Sequence, residues 1–405
     1  YDTRRRQELQ EEAQELTGLK NPNSLAQLKR WLAEQGVEMT SVTKDTITEA
    51  LRDPDLPDIV RRVLEIRTAL GKTSVAKYST MLVAHCQDHR LRGILQFYGA
   101  NRSGRWAGRL VQTHNLAKNT LPDLALAREL AAEGDFETMG TLFGETAFVF
   151  SELIRTAFIP SEGCRFVVSD FSAIEARVLA WIAGEEWTLE AFRQGKDIYC
   201  ETASMMYHVP VEKHGANSHL RQKGKVAVLA CGYQGGVGAM KRMDKGGTIP
   251  EDELQSVVDQ WRGSNPSVVK LWRNCEMAAR TVIEEHRTVR LKNGIAFGYV
   301  NGNLFIKLPS GRKLCYWNTH LKMDPRDGRE RIVYMGVNQE TKQWGETETY
   351  GGKLVENITQ AIARDCLAIS MQRVAALGYN IVMHVHDEMI VDVPIEDTDA
   401  LAAVP

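Results

Sequence analysis

Two histidines and two carboxylates crowd into "HVHDEMIV", residues 384–391, in the middle of an apolar run. Carboxylates beside a sheet core are costly unless something pairs with them. Ile381-Val382-Met383 and Met389-Ile390-Val391 read as two short strands, and the charged tetrad between them reads as a tight turn. Asp387 at the apex is a hard oxygen ligand on a rigid element, the kind that holds a hard cation together with substrate phosphates. Taken alone it is also ordinary turn chemistry. His384 and His386, two apart on one strand, invite a zinc reading, but no third His or Cys lies nearby in sequence.

A second carboxylate has a similar setting. "CRFVVSD", residues 164–170, reads as a short buried strand ending on Asp170, and "FSAIEARVLAWIAG" as a helix directly after it, with Glu175 five residues past the aspartate. An isolated strand–Asp–helix is more often a capping Asp followed by a surface Glu. If the two strands are neighbours, however, Asp170 and Asp387 meet. Two carboxylates holding two divalent ions about 4 Å apart form a clamp for in-line phosphoryl displacement. Between them in sequence lies "SHLRQKGKVAVLACGYQGG", where Arg221, Lys225, Leu229 and Tyr233 step by four and share one helical stripe. Two cations one turn apart suit a polyphosphate between them. The alternative is a solvated basic face running into core.

The elements that must position these groups are mostly helical at first. "NPNSLAQLKRWLAEQG" has Asn23 or Ser24 as a cap and Gly36 as a stop, and "DIVRRVLEIRTALGK" makes a second helix. Residues 101–120 lose apolar periodicity, and helical patterns return over 123–156 and 188–298. Residues 299–350 turn β-like. "KLVENITQAIARDCLAISMQRVAALG" is a long helix ending at Gly378. The pattern predicts an α+β domain interrupted by a large helical insertion.

The 405 residues are 43% hydrophobic and 25% charged, ordinary for a globular protein of two or more subdomains. The net charge of −2 hides any nucleic-acid partner, so binding must rest on local cations such as Arg67, Lys72, Lys77, Arg102, Arg105 and Arg109. Seven cysteines without a C-x-x-C pair predict reduced thiols in a cytoplasm, and no run reaches membrane-spanning length. The chain begins at Tyr1 without a methionine, as a trimmed piece of a longer protein would, which leaves room for domains upstream.

In this order the motifs resemble those of family A DNA polymerases, the family of bacterial DNA polymerase I. "DFSAIEARVLA" resembles motif A, "DYSQIELRVLA"; "RQKGKVAVLACGYQGG" resembles motif B; "VHDE" resembles motif C. "DIYCETASMMYHVP" is similar to the stretch after motif A, "AGRLVQTHNL" to "TGRLSSSDPNLQN", and "NSLAQL" to a thumb motif. The likeness covers roughly residues 17–394. "LPSGRKLCYW" and "ETYGGKLVENITQAIARD" look most like phage-encoded members.

The resemblance implies a right-hand fold: a thumb over 1–100, a palm over 101–208 and 300–405 with an antiparallel sheet, and helical fingers over 209–299. It implies template-directed addition of dNTPs to a primer 3′ end by a two-metal mechanism, with Mg²⁺ as the ion and Mn²⁺ as a substitute. Asp170 and Asp387 would be the metal carboxylates, Phe171 would lend a backbone carbonyl, and Glu388 would be an auxiliary acid near the primer end. Arg221 and Lys225 would hold the triphosphate, and Tyr233 would lie near the templating base. Leu229 would lie against the incoming sugar. Glu175 would crowd the sugar 2′ position and hydrogen-bond to Tyr233. Arg109, Gln360 and His386 would contact the primer–template near its terminus, and Asn115 the template strand. Partners would be primer–template DNA and dNTPs, with unspecified accessory replication proteins, no membrane, a monomeric state and the bacterial host cytoplasm as the setting.

The sequence departs from the family at Leu229, usually Phe or Tyr, at Ala173, usually Gln, and at His384, commonly Gln. The chain stops soon after the hairpin, so the family's C-terminal helix and last strand are expected to be absent or to lie beyond this sequence. The rivals are a single-subunit RNA polymerase, a catalytically silent DNA-binding module and a metal-dependent nuclease. The first would want a small residue at Glu175 and Ser at Glu388, and the second should have lost Asp170 or Asp387. No D-x-E strand motif with a later Asp cluster supports a nuclease, although an exonuclease domain ahead of Tyr1 is compatible with the motifs.

Overall fold

Cys164–Asp170 carries Phe166, Val167 and Val168, aromatic and β-branched residues that suit a half-buried pleated surface. In the computed structural model, which describes residues 2–39, 41–71, 75–244, 246–338 and 343–404, this strand pairs antiparallel with Glu388–Pro394. That strand pairs in turn with Asn380–Val385, giving a three-stranded sheet with Glu388–Pro394 at its centre. Val167, Met389, Val391 and Val393 are buried there against Leu367 and Val374 of the helix Gly351–Ala376. Each such side chain contributes about 1.5–3 kcal/mol by leaving water.

The turn is shorter than the sequence suggests. Val385 faces Glu388 in the register, so the connection is only His386-Asp387, and His384 lies inside the first strand. His386 adopts φ +51°, which a two-residue hairpin connection demands of its first position. The helix after Asp170 also starts later than expected, at Ile174, because Ala173 takes a left-handed φ of +52° as its N-cap.

The chain divides into two compact units, residues 1–96 with 108–160, and residues 97–107 with 161–405. The first is helical. Leu28, Trp31 and Leu32 of the helix Leu25–Glu34 share a buried cluster with Val60, Val63 and Leu64 of the helix Asp58–Leu70. Ser24 is the N-cap of the earlier helix but makes no side-chain cap bond.

The second unit holds the three-stranded sheet, a run of helices and a six-stranded antiparallel meander. The meander begins at Val289, earlier than its polar flanks suggested, and runs through Trp344–Thr349. Its inner face (Phe297, Leu304, Ile306, Leu314, Ile332) joins one large core with the helices Pro266–Glu285 and Gly351–Ala376. The α+β class therefore holds. Among the described residues no helix is long and apolar enough to cross a membrane, and all seven cysteines are free.

Candidate active site

The two aspartates that are remote in sequence come together. Glu388 stands opposite Asp170 in the strand register, and the Phe171 amide donates to the Asp387 carbonyl at 3.2 Å. Backbone pairing alone thus fixes both carboxylates at one end of the central strand pair. Asp170 is exposed, whereas Asp387 keeps only 20% of its side-chain surface. Burial pushes the Asp387 carboxyl up; Arg105 pulls it down, Glu175 pushes it up, His386 pulls it down and Asp170 pushes it up.

Arg105 is the residue the sequence reading missed. Treated there as a general DNA-binding cation, it instead donates from Nη1 to Glu175 Oε1 at 2.9 Å and places Nη2 3.6 Å from Asp387 Oδ1. Its segment is clamped by arginines: Arg364 donates from Nε to the Gly104 carbonyl and lies 4.2 Å from the Trp106 ring centroid. Arg312 reaches the Ser103 carbonyl at 2.9 Å while bonding Asp365. Trp106 packs edge-on against His384, 4.7 Å between centroids. His384 is thus buried in this packing and His386 is exposed in the turn, so the two do not share a strand face.

Glu175 receives a second donor. The Tyr233 hydroxyl donates to its Oε2 at 2.9 Å, the bond expected between these residues. Burial first, then the adjacent Glu175 charge, holds the Tyr233 phenol well above its usual range. Tyr233 is not part of the helix that carries the rest of the stripe, which ends at Cys231. It sits in the following turn, fixed where Trp272 donates to the Gly232 carbonyl at 3.0 Å and Gln234 accepts from the Gly352 amide at 2.8 Å. Gly352 permits this approach, since a Cβ there would lie 2.5 Å from the Tyr233 carbonyl oxygen.

Arg221 and Lys225 lie one turn apart on the helix Leu220–Cys231, but Arg221 is not bare. Its Nε and Nη2 both donate to Asp197 Oδ2, at 3.0 and 2.7 Å. Asp197 also caps the helix Ile198–Tyr207 by accepting from the Tyr199 and Cys200 amides. A Cβ on Gly224 would stand 2.2 Å from the Tyr199 carbonyl, so glycine lets the two helices approach closely enough for this pair. In the sequence Asp197 is marked as the first residue of the family-like stretch "DIYCETASMMYHVP", and an aspartate ahead of a helical run is a cap candidate. Leu229 is 47% exposed, so its side chain does not lie in the core.

The remaining residues fall in several places. Glu388 begins its strand beside Asp387, and Gln360 is half-buried on the helix Gly351–Ala376. Arg109 and Asn115 belong to the first unit, where Arg109 bonds to the Gly108 carbonyl and to Gln96, and Asn115 to Gln112 at 3.2 Å. Several of the other expected DNA-binding cations are engaged within the protein. Lys77 donates to the Val111 carbonyl at 2.6 Å, Arg67 to Asn23 at 2.8 Å, and Arg102 to the Val337 carbonyl at 3.4 Å. Lys72 lies outside the described residues.

The carboxylates suit a hard cation. Burial first, then the nearby Glu175 and Asp170 charges, raises the Asp387 carboxyl, and added positive charge would relieve it. The Phe171 carbonyl accepts the Ile174 amide at a long 3.3 Å, and a carbonyl oxygen has a second lone pair to offer. Among the described residues, no group of three or more His, Cys, Asp or Glu side chains is already arranged around a metal position.

Comparison with known proteins places the chain in a family. Residues 3–292 match the family model described as DNA polymerase family A. A DNA polymerase of Bacillus phage SP02 is 53% identical over 384 residues, covering 95% of this chain and 59% of that protein. A thermostable DNA polymerase I of Thermus aquaticus is 29% identical over 62% of this chain and 25% of its own length. The chain thus spans 59% of the first relative's length and a quarter of the second's, less than two thirds of either. A solved structure of the POL domain of Pol1 from M. smegmatis, in complex with DNA primer-template and dNTP, covers the whole chain at a TM-score of 0.66 and 17% identity. That likeness speaks for the fold, and it matches the expected polymerase-domain class.

Proposed function

The chain belongs to DNA polymerase family A, and we propose on that premise that it is the nucleotide-adding portion of a template-directed DNA polymerase. The observation that carries the proposal is the meeting of Asp170 and Asp387 across the Phe171–Asp387 backbone bond. The family's motif A and motif C aspartates stand at matching positions. Residues 1–100 are assigned as thumb, 101–208 and 300–405 as palm, and 209–299 as fingers.

Asp170, Asp387 and the Phe171 carbonyl would hold the divalent ions, taken to be two Mg²⁺. When bound, such ions lower the pKa of the primer 3′-hydroxyl and neutralise charge on the leaving pyrophosphate oxygens. The chain's own groups do the rest. Asp197 orients the Arg221 guanidinium, and Lys225 one turn on adds a second donor, so the triphosphate is met by two cations on one helix face. Both should act in the closed state, once the correct pair is seated. Arg105 and Tyr233 fix the Glu175 carboxylate from opposite sides, holding it as a rigid wall against a sugar 2′-hydroxyl. Glu388 stands beside the primer terminus as an auxiliary acid. Arg109, Gln360 and His386 would contact the primer–template near its terminus, and Asn115 the template strand. A monomer in the host cytoplasm is the accompanying reading.

The test is primer extension on a defined template with Mg²⁺ and either dNTPs or rNTPs. Template-ordered addition of dNTPs is the expected result. Preferential use of rNTPs would return the chain to the RNA polymerase reading, and no addition of either would leave a silent DNA-binding module.

A further inference from the structure

The six-stranded meander has two unlike faces. The inner face is core. The outer face carries cations and rings that the catalytic reading does not use. Arg290, Lys307 and Lys313 line a cavity of about 650 Å³ together with Phe305 and Gly298. Further along the same face stand Trp317, 58% exposed, and Trp344, 61% exposed. The register puts all of them on one side: Arg290 pairs with Ala296, Lys307 with Lys313, Phe305 with Gly298, Trp317 with Met335, and Trp344 with Val337.

Three features of this face lack an internal explanation. Lys307 and Lys313 stand directly opposite each other, an arrangement that repels. Among the described residues neither they nor Arg290 pairs with a carboxylate. Gly298 sits mid-strand without a positive φ, and a Cβ on it would meet nothing within 4 Å. Glycine in a strand interior weakens the strand and marks a place where something else approaches closely. Finally, two tryptophans two strands apart lie in water; Trp344 is offset by two residues from the position across from Trp317, which puts them about 12 Å apart at ordinary strand spacing and rise.

We propose that this outer face is a binding platform for single-stranded DNA, the unpaired template ahead of the primer terminus. Cations for phosphates interleaved with exposed rings for bases are what an extended single strand requires. An anion between Lys307 and Lys313 removes their repulsion, and the space over Gly298 admits a base onto the Phe305 ring. A duplex hides its base faces and would leave the rings unused. The proposal rests on the template-directed reading of the aspartate site.

The experiment measures binding, without nucleotide, of primer–templates that share one duplex and differ in template overhang, about 2 against about 12 nucleotides. The parent should gain about tenfold in affinity from the longer overhang, with a steeper salt dependence. Lys307→Glu combined with Lys313→Glu should abolish the gain, and Trp317→Ala should reduce it severalfold. Both should keep parental affinity and single-nucleotide addition on the short overhang. A parent with no overhang-dependent gain, or either variant with the whole gain intact, overturns the platform; the face would then be open to a protein partner. Nucleotide addition on the short overhang reads the catalytic proposal separately. Its absence in the parent sinks that reading, whereas overhang-dependent binding is scored without chemistry.

Discussion

The Tyr233 hydroxyl donates to Glu175 Oε2 across 2.9 Å, tying the turn after one helix to the first turn of another. Arg105 holds the opposite oxygen at the same distance. Glu175→Ala therefore removes a wall and also strands two donors, a buried phenol and a guanidinium. Leaving a buried donor unsatisfied costs about 1–3 kcal/mol. The expected outcome is a rise in the rNTP to dNTP efficiency ratio together with a loss of overall activity of about tenfold or more. An unchanged ratio would falsify the gate role.

Asp170 and Asp387 are expected to act as one unit. Asp170→Asn and Asp387→Asn should each abolish nearly all nucleotide addition, by several orders of magnitude, while duplex affinity stays close to parental. The reason is that charge stabilisation of the transferring phosphoryl is the main catalytic contribution at such sites. Steady-state extension at saturating dNTP decides it. Either variant within about tenfold of the parent would remove the assignment.

Asp197 offers a prediction about both stability and catalysis. Although burial opposes ionisation of its carboxyl, the Arg221 guanidinium and the Tyr199 and Cys200 amides hold it below the usual aspartate range. A depressed carboxyl stabilises the fold above the unfolded pKa, near 3.8, and that contribution is lost as pH falls through the folded value. Asp197→Asn should lower stability by about 1–2 kcal/mol at neutral pH, with the gap closing in acid. Thermal melts of parent and variant across pH test the sign. The same variant should raise the KM for dNTP, because Arg221 loses the partner that orients it. A Tm gap that widens in acid contradicts the account.

Leu229 should govern dideoxynucleotide use. It is exposed on the helix that carries Arg221 and Lys225, and it has neither a hydroxyl nor a flat ring. The parent should discriminate strongly against dideoxynucleotides, and Leu229→Tyr should relax that by supplying a hydroxyl where the missing 3′-hydroxyl would lie. Losing the ring costs stacking on the order of 1 kcal/mol. The ratio of ddNTP to dNTP incorporation efficiency measures it, and a parent that takes both equally well ends the idea.

The sequence alone carried the local chemistry. Asp170 at the end of an apolar strand, Asp387 in a hairpin connection and the four-residue step from Arg221 to Leu229 are set by short-range periodicity, which one chain displays directly. It also carried the long helix and the hairpin strands to within a few residues. What it could not carry was partnership. Arg105 and Glu175 lie far apart in the chain, and nothing in a basic, Gly-rich stretch says which cation will turn inward onto a carboxylate. The pairing exists because Arg312 and Arg364 clamp the Arg105 segment onto unit 2. Tyr233 illustrates the same limit. A helical stripe predicted its direction, yet the helix ends at Cys231, and the close approach of Gly352 fixes the turn. The start of the meander at Val289 was hidden for a related reason: Val289 and Arg290 are short and flanked by charge, and only cross-strand pairing with Phe297 and Ala296 makes them strand. Local pattern fixes which groups can do chemistry. Long-range packing decides which of them meet, because the free energy that joins them comes from contacts that no neighbouring residue encodes.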